Sequence, residues 1–353
     1  MLLSDIYLWL SYSHIATPKL NKILEQVSPT QLWDILSDEG KYLLDEKTFN
    51  TLKRTHSVDY IERAKQYLEI NNVKYVTRAD PAYPTALAQT EVNPPPVIYY
   101  KGNLDIVREP CIAVVGTRRA SQYGKYATNK IVEELAGAFT IVSGLAAGID
   151  AFAHSAALKA GGKTIAVLGS GLFNASPVSN LKLFDEICRD GLVMSEYTPD
   201  VHASAYTFPQ RNRLISGLSR GVLVVEAAER SGSLITAGCA LDQGRDVFAV
   251  PGDIDKPRSI GTNNLIKSGA IAVTCASDIS DYYSVSLKKS ERKIIALDFS
   301  EQHVLDMLNE GEKTFDCLAE TSGMSVPELN IALSSLIING LIHEKSKNLY
   351  CVS

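Results

Sequence analysis

Seven short apolar runs between residues 111 and 274 dictate most of what this chain can become. They read CIAVVG, TIVSG, TIAVLG, GLVMSEY, GVLVVEA, DVFAVPG and IAVT, and small-residue turns and segments of helical spacing lie between them. A strand that is apolar on every residue has no face to give to water, so it belongs in a parallel sheet covered by helices on both sides. The runs therefore predict an α/β, Rossmann-like doubly wound parallel sheet over residues 108–283.

The flanks follow other rules. Residues 1–75 carry helical spacing of apolar groups, as in PKLNKILEQV and PTQLWDILS, with Pro18 and Pro29 suited to helix starts. They predict a small helical, SAM-like domain. Residues 76–107 are rich in Pro and Tyr, and Pro94 to Pro96 favour extended backbone, so this stretch reads as a linker. After the polar SVSLKKSERK, residues 300–353 give three helical segments and a hairpin, a winged-helix-like domain. Ser325 and Glu328 are spaced for a capping box on its third helix, and Leu329, Leu333, Leu336 and Ile337 are spaced for its core.

Charge narrows the function classes. The chain has a formal net charge of -5, yet residues 108–281 balance 17 Lys+Arg against 17 Asp+Glu, while residues 300–353 hold 3 against 8. An acidic tail repels phosphates, so any nucleic-acid contact must come from a local cation cluster in the neutral middle. No stretch approaches the ~20 apolar residues of a membrane span. The N-terminal MLLSDIYLWL has no basic leader, so a cytoplasmic protein without membrane association is expected. The six cysteines and six histidines are scattered, which implies no metal site and no cofactor of that kind.

In an open parallel sheet, ligands bind beyond the carboxyl ends of the strands. The candidates there are Gly116, Thr117 and Arg118; Gly144; the stretch around Phe208, Arg211, Asn212 and Arg213; and Arg230, Ser231, Gly232 and Ser233. Glycines let a ligand approach the backbone, and helix N-terminal amides attract anions. The dinucleotide fingerprint fails, because Arg118 and Ser121 stand where its second and third glycines would be, and a Walker loop is absent. Phe208 lies three residues before Arg211, a spacing that suits base stacking beside phosphate-binding cations. The same residues would also suit a core aromatic and a solvated helix start. Asp150 and His154 fall one helical turn apart and read as a capping carboxylate and an ordering histidine rather than as an acid/base pair.

Taken together, IAVVGTRRASQYG, SGLAAGIDAFAHSAAL, TIAVLGSGL, FPQRNRLISGLSRGVLVVEAAERSGSLITA, GRDVFAVPGDI and GTNNLIKSGA resemble the DNA processing protein A (DprA, or Smf) family of bacterial single-stranded-DNA binders. The resemblance spans about residues 80–275. It implies a protein that protects incoming strands during natural transformation, dimerises through its Rossmann-like domain and helps load a RecA-type recombinase. By that resemblance Arg118, Arg211, Asn212 and Arg213 hold backbone phosphates, Phe208 stacks a base, residues 230–233 complete the pocket, and Lys267 of GTNNLIKSGA adds a cation. It also implies that no bond is made or broken. The alternative on the same fold is a LOG-like enzyme that binds or hydrolyses nucleotides, or a nucleotide sensor in defence. The LOG-type P-G-G-x-G-T turn is missing, since EAAERSGSLITA lacks its double glycine.

Overall fold

Each of the seven apolar runs forms a strand, and two more strands join them at one edge. In chain order these are β1 Lys74–Thr77, β2 Val97–Gly102, β3 Cys111–Val115, β4 Thr140–Ser143, β5 Thr164–Val167, β6 Leu192–Ser195, β7 Gly221–Val224, β8 Asp246–Ala249 and β9 Ile271–Ala272. The sheet order is β1-β2-β6-β5-β4-β3-β7-β8-β9. Strands β3 to β9 pair in parallel, and β2 lies antiparallel to both β6 and β1. The chain winds outward from β3 to β6, then returns to β7 and winds the other way. That places the topological switch between β3 and β7, the position at which such sheets take ligands.

The structure is a computed structural model that describes residues 1–37, 44–89, 93–287, 297–346 and 348–352. Five helices precede the sheet: α1 Leu3–Ser11, α2 Thr17–Gln26, α3 Pro29–Ser37, α4 Glu46–Thr55 and α5 Val58–Ile70. A short α6, Thr85–Ala88, follows β1. The crossover helices are α7 Gln122–Leu135, α8 Ile149–Lys159, α9 Leu181–Asp190, α10 Thr207–Leu218, α11 Gly232–Asp242 and α12 Ile260–Lys267; α13 Ser277–Tyr282 closes this part. Among the described residues, no helix is long and apolar enough to cross a membrane.

The Pro/Tyr-rich stretch is not a linker. Residues 74–77 and 97–102 are strands of the main sheet, and Tyr99, fully buried, faces the N-terminal helices. Pro94 to Pro96 do hold the chain extended, but they deliver it straight into β2, whose Tyr83 neighbour donates its hydroxyl to Pro95 O at 2.8 Å. Nor do residues 1–75 form a separate core. Trp9, Leu20 and Leu52 share one apolar cluster with Val97, Tyr99, Val193 and Ile187, and Met1–Lys288 forms a single compact unit. Burial of α1 against the sheet leaves no water-filled boundary at which two domains could part.

The second unit, Lys289–Ser353, is described by itself. It runs α14 Phe299–Asn309, β10 Lys313–Thr314, α15 Phe315–Ser322, α16 Val326–Ile338, β11 Ile342–Ser346 and β12 Leu349–Val352, with the strands ordered β10-β12-β11. Ser325 and Glu328 form the expected capping box. Leu329, Leu333 and Leu336 are buried, whereas Ile337 is 42% exposed and lies off the core stripe. Strand β10 is only two residues long and gave no signal in the sequence. In the polar stretch before this unit, residues 288–296 lie outside the described residues.

Trp9 is 1% exposed, packs edge-on against Trp33 at 4.9 Å and donates its indole N–H to Thr55 Oγ1. Trp9→Ala is expected to cost about 3–5 kcal/mol. Because the core is shared, residues 1–288 should still melt in one transition when followed by tyrosine fluorescence and circular dichroism together. A separate early transition of the helical region would contradict this.

Candidate nucleic-acid interface

Helix α10 carries the cation pair of the sequence FPQRNRLISGLS, and its face is set by its apolar residues. Leu214, Ile215 and Leu218 are buried, and Arg211 stands three, four and seven residues before them, on the same stripe. Arg211 is accordingly 3% exposed. Its Nη1 donates to the carbonyls of Gly144, at 2.7 Å, and of Val167, which end β4 and β5. Burial lowers its guanidinium to about 10, which leaves it charged at neutral pH, and Asp150 opposes that shift.

Arg211 is therefore turned into the protein, not toward the rim. Arg213 is also buried, at 9% exposure, and pairs with Glu196 at the end of β6. Thr17 Oγ1 donates to the same carboxylate oxygen at 2.9 Å, so the pair ties α2 to the sheet. Burial pushes the Glu196 carboxyl up, while Arg213 and Thr17 pull it back. Both arginines were expected at the surface as phosphate ligands; here each guanidinium is shielded from solvent and held by internal oxygens.

The loop after β4 is built the same way. Gly144 is buried, its amide donates to Asp150 Oδ2 at 3.1 Å, and a Cβ there would run into the Arg211 guanidinium. Glycine is thus required by packing, not by a ligand. Leu145 next to it has φ 56, a left-handed conformation that costs roughly 1–2 kcal/mol for a residue with a side chain. It is held from both sides: its N–H donates to His154 Nε2 at 3.3 Å, and its carbonyl accepts from Asn180 Nδ2 at 3.0 Å. His154 Nδ1 lies 2.6 Å from Thr164 Oγ1, which donates its own proton to Ile141 O. That fixes the ring as the neutral Nδ1–H tautomer, and burial, then Arg211, pushes its pKa down to about 3. Asp150 is likewise fully buried, with burial raising its pKa and Arg211 opposing. The histidine orders the loop, as the sequence suggested, whereas Asp150 does not cap α8, whose N-cap is Gly148, and holds the Gly144 amide instead.

What faces outward is a different set. Arg118 is exposed, and its guanidinium carbon lies 4.8 Å from the centroid of the Phe208 ring. Phe208 is half-buried and rests against Gly169 after β5, where an added Cβ would stand 2.8 Å from the ring. Asn212, one turn along α10, donates to Gly232 O at 3.4 Å and accepts from Arg211 Nε at 3.2 Å. Gly232 begins α11; Ser231 caps it, and Ser231 and Ser233 hydroxyls lie 2.8 Å apart. Arg230 is exposed beside them, whereas Ser233 is buried. Arg118, Phe208, Asn212 and residues 230–232 thus follow one another along a single edge.

Gly116 and Thr117 sit at the switch point. Thr117 N–H donates to Glu226 O at 2.8 Å, and a Cβ on Gly116 would collide with Ile149. Glu226 Oε2 accepts from Ser121 N at 2.9 Å, so this carboxylate at the end of β7 anchors the loop leading into α7. Lys267 is the last residue of α12, about 9 Å along the helix axis from Gly261, which packs on Ala227. Asn180 was missed; its place in the loop after β5 carries no signature.

Comparison with known proteins gives one consistent family. The sequence profile of the family "DNA recombination-mediator protein A" matches residues 74–284. The chain is 44% identical over 228 residues to DNA processing protein DprA of Streptococcus pneumoniae, covering 65% of this chain and 79% of that one. It is 41% identical over 321 residues to protein Smf of Escherichia coli, covering 87% and 84%. The crystal structure of the Streptococcus pneumoniae DprA superposes with a TM-score of 0.70 at 38% identity, over 80% of this chain and 98% of that one. DprA of Helicobacter pylori, whose structure concerns its single-stranded-DNA binding mode, gives 0.53 at 29% identity over 60% and 95%.

Two outcomes follow from the buried groups. Arg211→Ala leaves the Gly144 and Val167 carbonyls without their donor and should lower stability by about 1–3 kcal/mol for each group left unsatisfied, whereas Arg118→Ala removes only an exposed contact with Phe208 and should cost no more than about 0.5–1 kcal/mol. Denaturant titration of both variants checks the contrast. For His154, the folded pKa lies below its ordinary 6.5, so the neutral ring's contribution is complete above pH 6.5 and is lost as pH falls toward 3. Asp150, raised by burial, acts in the opposite sense. The stability difference between the native chain and His154→Gln should therefore shrink steadily from pH 6.5 to 4; a constant difference would contradict the assignment.

Proposed function

The chain belongs to the DNA recombination-mediator protein A family, and from that premise we propose that it binds single-stranded DNA through the Arg118–Phe208 edge. The observation that supports this most directly is an exposed guanidinium 4.8 Å above a half-exposed aromatic ring at the carboxyl ends of a parallel sheet. A cation beside a stacking platform suits an unpaired strand, because every base offers a π face and every linkage a phosphate. Duplex DNA hides its bases from such a ring. Binding should therefore favour single strands and show little sequence preference.

Within this reading Arg118 and Arg230 are the phosphate ligands, Phe208 stacks a base, and Asn212 with residues 231–232 frames the backbone. Arg211 and Arg213 act beneath the surface as supports. The protein protects a strand and hands it to a RecA-type recombinase, working as a homodimer through the Rossmann-like unit in the cytoplasm. No covalent step belongs to it: Asp150, His154 and Glu226 are each buried and engaged with loop amides, which is the position of a structural group and not of a general base. The acidic second unit is then a protein-contacting or regulatory arm. Its α16 has neither Lys nor Arg to neutralise phosphates.

A salt titration with single- and double-stranded oligonucleotides tests the reading. Arg118→Ala should weaken single-strand binding and lower the salt slope by about 0.7, the share of one phosphate. Phe208→Ala should cost about 1–3 kcal/mol with little change in slope. Equal affinity for duplex at moderate salt, or unchanged slopes and affinities in both variants, would overturn it.

A further inference from the structure

Helix α7 buries Ala127, Ile131, Val132 and Leu135 against the sheet and turns a second stripe to solvent. On that stripe Tyr123 and Tyr126 are each 48% exposed. They are three residues apart, hence neighbours on one face, and Lys130 follows Tyr126 by four. The Lys130 ammonium lies 5.7 Å from the Tyr126 ring centroid. Tyr123 donates its hydroxyl to Pro251 O at 2.7 Å, which fixes that ring in place across the rim of the sheet. Arg118 and Arg119 stand exposed in the loop just before the helix, so the stripe starts where the Arg118–Phe208 edge ends.

The charges run against what the helix alone would prefer. Its first turn has no acidic residue and its last has no basic one, with Lys125 near the start and Glu133 and Glu134 near the end. Helices are stabilised by the reverse order. Among the described residues, none of Arg118, Arg119, Lys125 and Lys130 forms an ion pair. Cations without a carboxylate partner, resting on or interleaved with aromatic rings, complement a chain of phosphates and bases. A second copy of this chain is the poorer fit, because a two-fold contact sets a surface against itself and would bring these cations together.

We propose that Arg119, in the loop before α7, and the exposed α7 stripe of Tyr123, Tyr126 and Lys130 form a second stacking and phosphate-binding track that carries an unpaired nucleic-acid strand onward from the Arg118–Phe208 edge. The track rests on the single-strand reading above and deepens it. It ends at Glu133 and Glu134, whose charges turn the strand away from the far end of the helix.

The test compares oligothymidylates of about 4 and about 16 nucleotides, the span of site sizes seen for single-strand platforms, on the full-length protein and on Tyr126→Ala and Lys130→Ala. Both positions are exposed, so melting temperatures should hold. Tyr126→Ala is expected to weaken the long oligomer about 5- to 150-fold, the equivalent of one stacked base at about 1–3 kcal/mol, and to leave the short one unchanged. Lys130→Ala should reduce the salt slope for the long oligomer alone, by about 0.7. If the native chain binds both lengths and Tyr126→Ala loses nothing on either, the track is overturned while the Arg118–Phe208 site stands. A native chain that binds neither oligomer sinks the single-strand reading and the track with it. Loss of affinity accompanied by dissociation of a dimer in sedimentation would assign the stripe to self-contact and overturn the track.

Discussion

The outward face of this protein depends on a cation that never sees solvent. Arg211 reaches from inside α10 to the carbonyls that end β4 and β5, and Asp150 beside it opposes the cost of burying the charge. Because one guanidinium grips two strand ends, the start of α10 has a fixed height over the sheet. Phe208, one turn earlier, is thereby laid on Gly169, and Asn212, the next residue, is aimed at Gly232. Buried charges of this kind contribute little net stability, but the loss of one partner is costly, so they specify a single arrangement.

Charge is distributed accordingly. The sheet-bearing region balances its cations and carboxylates, and two of its arginines are committed internally, Arg211 to carbonyls and Arg213 to Glu196. The Arg213 pair also takes in Thr17, so the N-terminal helices are keyed to the same helix that presents Phe208. Around the first βα loop and α7, Arg118, Arg119, Lys125 and Lys130 are exposed and, among the described residues, form no ion pair. A neutral background leaves such a small cluster undiluted over roughly a Debye length, about 8–10 Å at physiological salt.

Much of this was legible in the sequence, for identifiable reasons. The seven apolar runs read as strands of a covered sheet, and all seven are strands, although β9 at the sheet edge leaves Ala272 exposed. The edge strands β1 and β2 were hidden because VIYYKG mixes apolar, aromatic and charged residues after three prolines, a composition that also suits an extended connector. Arg211 was misread because arginine is ordinarily a surface residue. The signal was present even so: it shares its helical stripe with Leu214, Ile215 and Leu218, and a cation on an apolar stripe must be buried with partners. Asn180 gave no such signal, since it acts on a loop brought near only by the fold.

The remaining step concerns how the edge changes state. Without a strand, the Arg118 guanidinium itself covers the Phe208 ring, a contact worth about 0.5–1 kcal/mol at an exposed site. A base that stacks there in the proposed complex must displace it, and stacking on an aromatic contributes about 1–3 kcal/mol. The exchange is favourable for any base, because both the ring's old partner and its new one are planar groups read by shape rather than by hydrogen bonds. In that complex the displaced guanidinium would be free to meet a phosphate of the strand. The proposed roles of Arg118 and Phe208 are then coupled through their contact, and their contributions to binding should not add independently.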